Sequence, residues 1–263
     1  MGEQRAKVIT VGLQKGGVGK STTSGVLAYF LSREKYKVLA VDMDSQGNLT
    51  DLLTQQDIEY FEEKTVLEAF EDGSVEDYIY QVNDYLHVVP SDDYLATLAK
   101  RLYTSDEMKY ITDKNLGLAG ILEPVIHDYD FIVIDTPPSL SEPMVNAICA
   151  SDYVIILAES SKWAFTAVPR FIETVDMAKE RVNPDLEVLG ILRTMNDSRR
   201  ADSKAFSELI KEEWPDLCFD VIIKRKAATG RIPMEGLFDN KELSSALEQY
   251  ELFYKELKER VGK

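Results

Sequence analysis

Cysteine and histidine are nearly missing from this chain, with two of each in 263 residues. Cys149 and Cys218 stand alone with no C-x-x-C spacing, which excludes a disulfide framework and a thiol redox pair; two buried thiols in a reducing compartment are expected. His87 and His127 are single and lie in apolar contexts, so no zinc ligand set can be assembled. No apolar run approaches the roughly 18 residues a transmembrane helix needs. The first ten residues carry charges and lead straight into a strand pattern, so no signal peptide is expected. Ala6 stands where a myristoylation pattern wants Ser or Thr. Positive charge is also short, the net being −16. Taken whole, that balance argues against nucleic acid as a partner, although clustering matters more than the sum.

What is present is a core of 44% hydrophobic residues, enough for one large α/β domain, taken as a single domain over 1–263. The apolar run Val8-Ile9-Thr10-Val11-Gly12-Leu13 precedes Gln14-Lys15-Gly16-Gly17-Val18-Gly19-Lys20-Ser21-Thr22. A helical pattern follows, with Val26, Leu27, Phe30 and Leu31 on one face. Strand, glycine-rich turn and helix form the context of a phosphate loop. Glycines let successive N–H groups turn inward, and the new helix adds unpaired N–H groups and the positive end of its dipole. Together they form a nest for a polyphosphate. Lys20 supplies a charge for the β- and γ-phosphates, and Ser21 a hydroxyl ligand for magnesium.

Two further runs end in acids. Lys37-Val38-Leu39-Ala40-Val41-Asp42 reads as a buried strand continuing into Met43-Asp44-Ser45-Gln46-Gly47-Asn48. Phe131-Ile132-Val133-Ile134-Asp135 reads as another, continuing into Thr136-Pro137-Pro138-Ser139. In an open α/β sheet such ends lie at the edge where ligands bind. A carboxylate there can hold magnesium or position an attacking water.

The loop form K-G-G-x-G-K-[ST] resembles the deviant Walker A box of the ParA/MinD group of ATPases. The stretch Asp42–Asn48 resembles the D-x-D-P-Q-G-N box of ParA-type partition ATPases, with Ser45 in place of proline, and Asp135–Ser139 resembles their D-x-P-P-S switch. Leu86–Ser91 and Arg193–Arg200 resemble two more ParA segments, so the likeness covers nearly the whole chain. The resemblance implies a doubly wound, mostly parallel sheet flanked by helices, and a weak magnesium-dependent ATPase. It implies that Lys15 reaches the phosphates of a second copy in an ATP-sandwich homodimer. Asp44 orients the attacking water, Asp42 supports the magnesium shell, and Asp135 holds the metal. Thr194, Met195 and Asn196 are placed near the adenine. The implied partners are non-specific DNA and a ParB-like centromere-binding protein that stimulates hydrolysis, in a cytoplasmic protein associated with the nucleoid when ATP is bound. No helix-turn-helix region precedes the phosphate loop, so operator binding is not expected.

Other segments depart from that pattern. Ser160-Ser161-Lys162-Trp163-Ala164-Phe165 stands where relatives have Q-x-E-x-[FY]-A-L-[ED]-G, and Trp163 and Phe165 are expected to pack. Ile223-Lys224-Arg225-Lys226 replaces an I-P-R-[NS] segment. Residues 49–85 are strongly acidic and read as a solvated face. Helices are expected near Asp92–Leu102, Ala167–Arg181 and Glu242–Val261, and strands at Tyr153–Glu159, Leu186–Leu192 and Cys218–Ile223. Between Arg193 and Arg231 there are nine bases and seven acids. Arg199, Arg200, Lys224, Arg225, Lys226 and Arg231 are therefore the candidate DNA contacts. Two alternatives are a MinD-like membrane-cycling ATPase, which would want a basic amphipathic tail, and a nucleotide-gated scaffold that binds without turnover. A tyrosine kinase lacks its tyrosine-rich tail here, and a nitrogenase-reductase-like role lacks cluster cysteines.

Overall fold

A computed structural model describes residues 5–197, 201–225, 232, 236–237 and 244–262. In chain order the elements are β1 (Lys7–Gly12), α1 (Lys20–Arg33), β2 (Val38–Asp42), α2 (Asn48–Thr54), α3 (Val66–Asp72), β3 (Tyr80–Gln81), β4 (Leu86–Val89), α4 (Leu98–Thr104) and α5 (Gly117–Leu122). They continue with β5 (Phe131–Asp135), α6 (Glu142–Cys149), β6 (Tyr153–Glu159), α7 (Lys162–Arg181), β7 (Glu187–Asn196), α8 (Ala201–Glu213), β8 (Cys218–Lys224) and a last helix, α9 (Ser244–Val261).

Among the described residues, eight strands form one sheet in the order β3-β4-β2-β5-β1-β6-β7-β8. Every pairing is parallel except β3 against β4. Alternation along the strands divides the core between the two faces. On β5, Phe131 and Val133 join the cluster under α1, α7 and α9, while Ile132 and Ile134 join the one under α3, α4 and α5. Burial on both sides explains why these strands read as continuous apolar runs. The chain reverses its direction of travel across the sheet around β1, which lies between β5 and β6. The carboxyl ends of β1, β2, β5, β6 and β7 therefore converge on one edge.

Several boundaries differ from expectation. Helix α7 begins at Lys162, capped by the Ser161 hydroxyl, rather than near Ala167. Strand β7 runs four residues further, to Asn196. The single helix expected near Asp92–Leu102 is a 3-10 turn at Asp93–Thr97 followed by α4. Trp163 is 76% exposed, against the expected packing, whereas Phe165 meets Trp214 at 5.8 Å between centroids. His127 is exposed and His87 bonds the Tyr129 hydroxyl at 2.7 Å; both cysteines are buried and free. The acidic region is partly built in: Thr65 and Glu68 form a capping box on α3, and Arg101 pairs with Glu71.

Helix α9 is docked onto the body. Tyr250, Phe253, Tyr254, Leu257 and Val261 are buried. Tyr254 stacks on Phe30, and Arg260 lies 4.1 Å from the Phe219 ring centroid while donating to the carbonyls of Leu189, Leu217 and Cys218. Its apolar stripe is spent on the protein. Among the described residues no helix is long and apolar enough to cross a membrane.

Candidate functional site

The loop between β1 and α1 folds as its glycines require. Gly17 and Gly19 have φ of +73° and +89°, and Gly19 is the residue from which α1 starts. Side chains rarely adopt that conformation, so these positions are what let the loop curl around the amino end of α1. Beside it lies a cleft of about 300 Å³ lined by Gly16, Gly17, Lys20, Ser21, Asp44 and Pro138, among others. Three of the sequence's motifs therefore meet in one concavity.

Lys20 is buried, and its Nζ donates to the Lys15 carbonyl at 3.0 Å. Burial lowers its pKa, while Asp135 and Asp44 pull it back up. Asp44 is raised above the ordinary carboxylate range chiefly by burial, offset by a bond from the Gln46 amide (3.1 Å) and by the charge of Lys20. The β2–β5 register sets Asp42 directly beside Asp135, and both are fully buried. Burial is the largest cause raising each, Asp42 to about 7 and Asp135 to about 6.

These neighbouring acids are satisfied differently. Asp42 accepts from the Asp44 amide (3.1 Å) with one oxygen, and from the Thr50 amide and hydroxyl (both 2.9 Å) with the other. It ties down the loop that carries Asp44. Asp135 accepts from Ser24 at 3.0 Å on Oδ1, but its Oδ2 is buried with no hydrogen-bond partner among the described residues. An orphaned carboxylate oxygen beside Ser21 and Lys20 fits a hard cation that prefers oxygen ligands. Among the described residues no group of three or more His, Cys, Asp and Glu forms an all-protein metal cage. Magnesium commonly uses one or two protein ligands plus phosphate and water, so this set suits it.

Lys15 turns back onto its own subunit. Its Nζ contacts the Glu159 carboxylate and the Ser161 hydroxyl, the latter at 3.1 Å. Thr194 donates to the Val18 carbonyl at 2.9 Å, and Asn196 donates to Ser160 at 3.1 Å. Met195 has φ +51°, an uncommon conformation for a side-chain-bearing residue. Its Cε lies so near Gly19 that a Cβ there would meet it at 3.3 Å. The end of β7 is thus fastened to the phosphate loop.

The basic window is weaker than its residue count. Arg193 is buried and donates to the carbonyls of Ser207 and Phe219; Lys211 bonds Asp220, and Lys204 lies 3.9 Å from Glu208. Lys224 and Arg225 are exposed. Arg199, Arg200, Lys226 and Arg231 lie outside the described residues. Sequence reasoning missed Ser24, Thr50, Glu159 and Ser161. Glu159 had a usable signal, since it ends a buried apolar run as Asp135 does; Ser24 and Thr50 had none.

With this geometry in hand, comparison with known proteins is informative. An AAA domain family matches residues 6–188. The chain is 33% identical to the chromosome partitioning protein ParA of Myxococcus xanthus over 97% of this chain and 88% of that one. It is 32% identical to the sporulation initiation inhibitor protein Soj of Bacillus subtilis, covering 88% of each. Among solved structures, a Cyanothece McdA variant in complex with ATP superposes with a TM-score of 0.84 at 25% identity, covering 98% of this chain and 97% of that one. A plasmid partition protein of Borrelia burgdorferi bound to AMPPNP gives a TM-score of 0.76 at 28% identity, covering 96% and 99%.

Proposed function

Because this chain belongs to the ParA-type family of P-loop ATPases, we propose that it is a partition ATPase whose ATP-bound form is a dimer that holds DNA without sequence preference. The observation that carries the reading is the cleft itself. The glycine loop, Lys20, Ser21 and Asp44 line one concavity, and the buried Asp135, with one oxygen unpaired, interacts with the Lys20 and Ser21 that line it.

In this reading ATP lays its phosphates in the nest of amides from Gly16 to Thr22, and Lys20 exchanges the Lys15 carbonyl for phosphate oxygens. Ser21 and Asp135 would hold Mg²⁺, and Asp42 keeps the neighbouring loop in place. The ion supplies charge neutralisation on the β- and γ-phosphates. Asp44 accepts a hydrogen bond from the attacking water and aims it at the γ-phosphorus. Burial raises its pKa, and the Gln46 amide and the charge of Lys20 pull it back down. The bond between the γ-phosphorus and the bridging oxygen breaks as water adds, giving ADP and inorganic phosphate. Met195 and Asn196 would border the base. Turnover is expected to be slow alone, and faster with a ParB-like centromere-binding partner.

The basic residues near the carboxyl end of β8 and in 198–231 would face DNA. A dimer presents each set twice, which multiplies phosphate contacts. The burial of the α9 stripe speaks against a MinD-like membrane tail. The deciding experiment measures binding to random-sequence duplex DNA with ATP, ADP and no nucleotide, with oligomeric mass followed in parallel. Binding and dimerisation that both require ATP are expected. Equal binding in all three states, or a mass that stays monomeric at saturating ATP, would overturn the reading.

A further inference from the structure

Lys15 is not free in the single chain, and what holds it is specific. Its Nζ contacts the Glu159 carboxylate at the end of β6 and the Ser161 hydroxyl that caps α7. The two side chains of the ion pair are 25% and 28% exposed, so the pair is neither fully solvated nor sealed. The holding segment is itself fixed. The Ser161 amide bonds the Glu159 carbonyl at 2.7 Å, the Ser160 amide bonds the Thr194 carbonyl at 3.3 Å, and Asn196 donates to the Ser160 hydroxyl. Thr194 then ties back to the phosphate loop at Val18. Glu159 is therefore presented by a braced junction and not by a loose loop.

We infer that Glu159 is a positioning residue for Lys15, holding it in cis until the phosphates of a second copy's nucleotide take it over. This rests on the sandwich reading above and adds the control of its assembly. The electrostatics favour such an exchange. One carboxylate opposes the several negative charges of a nucleotide triphosphate, so the cis pair loses once the second nucleotide is close but wins in its absence. A conformation competent for only a fraction of the time weakens apparent assembly by that fraction. Ser161 gives the released ammonium no charge to return to, so Glu159 carries the hold. The short bond from Lys20 to the Lys15 carbonyl couples the same backbone to the nucleotide's own subunit. Filling the nest would thus loosen the segment that carries Lys15.

The test uses the full chain and the variants Glu159→Gln, Glu159→Asp and Lys15→Ala. First, amine acetylation of the nucleotide-free protein is read by mass spectrometry, with exposed Lys109 as internal reference. Lys15 should label at least about threefold faster in Glu159→Gln than in wild type, and close to wild-type rate in Glu159→Asp. Second, the ATPγS concentration giving half-maximal dimer should fall about three- to tenfold in Glu159→Gln. ADP affinity of the monomer and the melting temperature should be unchanged. In a Lys15→Ala background the Glu159→Gln change should have no effect. Unchanged Lys15 labelling, or an unchanged or raised dimer midpoint while wild type dimerises, overturns this inference alone. A wild type that stays monomeric at saturating ATPγS overturns the sandwich reading and this inference with it.

Discussion

The strand edge that carries the site has two halves, and they differ in kind. At the ends of β1, β2 and β5 the chemistry is carried by short contiguous motifs: the loop from Lys15 to Thr22, the acids Asp42 and Asp44, and Asp135. At the ends of β6, β7 and β8 it is carried by residues far apart in the chain that meet only after folding: Glu159 with Lys15, Thr194 with Val18, and Asn196 with Ser160. In the first half a residue's function follows from its local backbone. In the second it follows from which loop happens to lie opposite. The difference teaches that a phosphate nest is a local invention, while the contacts that fasten Lys15 and the end of β7 are tertiary ones.

The largest effects should fall on the first half. Lys20→Ala is expected to abolish measurable nucleotide binding. Asp44→Ala should keep binding but slow single-turnover hydrolysis by about 10²- to 10⁴-fold. If Asp44→Ala hydrolysed ATP at the wild-type rate, the scaffold alternative would stand instead and the contrast between the halves would vanish.

The carboxylate pair gives the next effect. Asp42 is raised to about 7 and Asp135 to about 6, so the folded chain holds these protons more tightly than the unfolded chain does. Raising the pH from about 4 through 7 should therefore cost the metal-free protein stability, the loss being complete above the folded value. Metal binding needs the ionised forms and releases the protons. Thermal melts should then show Mg²⁺ with ADP stabilising the protein more at pH 8 than at pH 6. Equal stabilisation at both would break the link between Asp135's orphaned oxygen and the metal.

A smaller change is expected across the second half. Charge reversal of Lys224, Arg225 and Lys226 together should weaken ATP-dependent DNA binding and flatten its salt dependence by about one per lost phosphate contact. Hydrolysis without DNA should stay within about twofold. A salt slope identical to wild type would remove the carboxyl end of β8 from the DNA surface. The smallest effect is at Trp163. Because the residue is 76% exposed, Trp163→Ala should shift unfolding free energy by no more than about 0.5 kcal/mol in denaturant melts.

The central strands were legible because apolar runs bounded by turns have few other uses in a chain of this length, whereas the two-residue edge strand β3 (Tyr80–Gln81) carries no such run and lay in the segment read as a solvated face. Their order was legible only through family likeness, since hydrophobic periodicity says which faces are buried but not which strand lies beside which. A helix start was legible where a glycine stood clearly before an apolar face, as at Gly19. One was missed at Ser161, where the first turn opens on the exposed Lys162 and Trp163 and buries only Ala164 fully. The basic window misled in the opposite direction. Counting charges treats Arg193 as surface, yet its guanidinium is taken by backbone carbonyls inside the fold.

By itself the amino-acid order determined the nest, the acids that face it and the two-sided burial of the strands, because backbone conformation and burial on adjacent residues are properties of a few neighbours. Only the tertiary structure decided that Asp42 braces a loop while its twin Asp135 keeps an oxygen unpaired, that Trp163 stands in solvent, and that Glu159 holds Lys15. Those outcomes depend on which groups compete for one polar atom, and that competition exists only once distant parts of the chain share the same space.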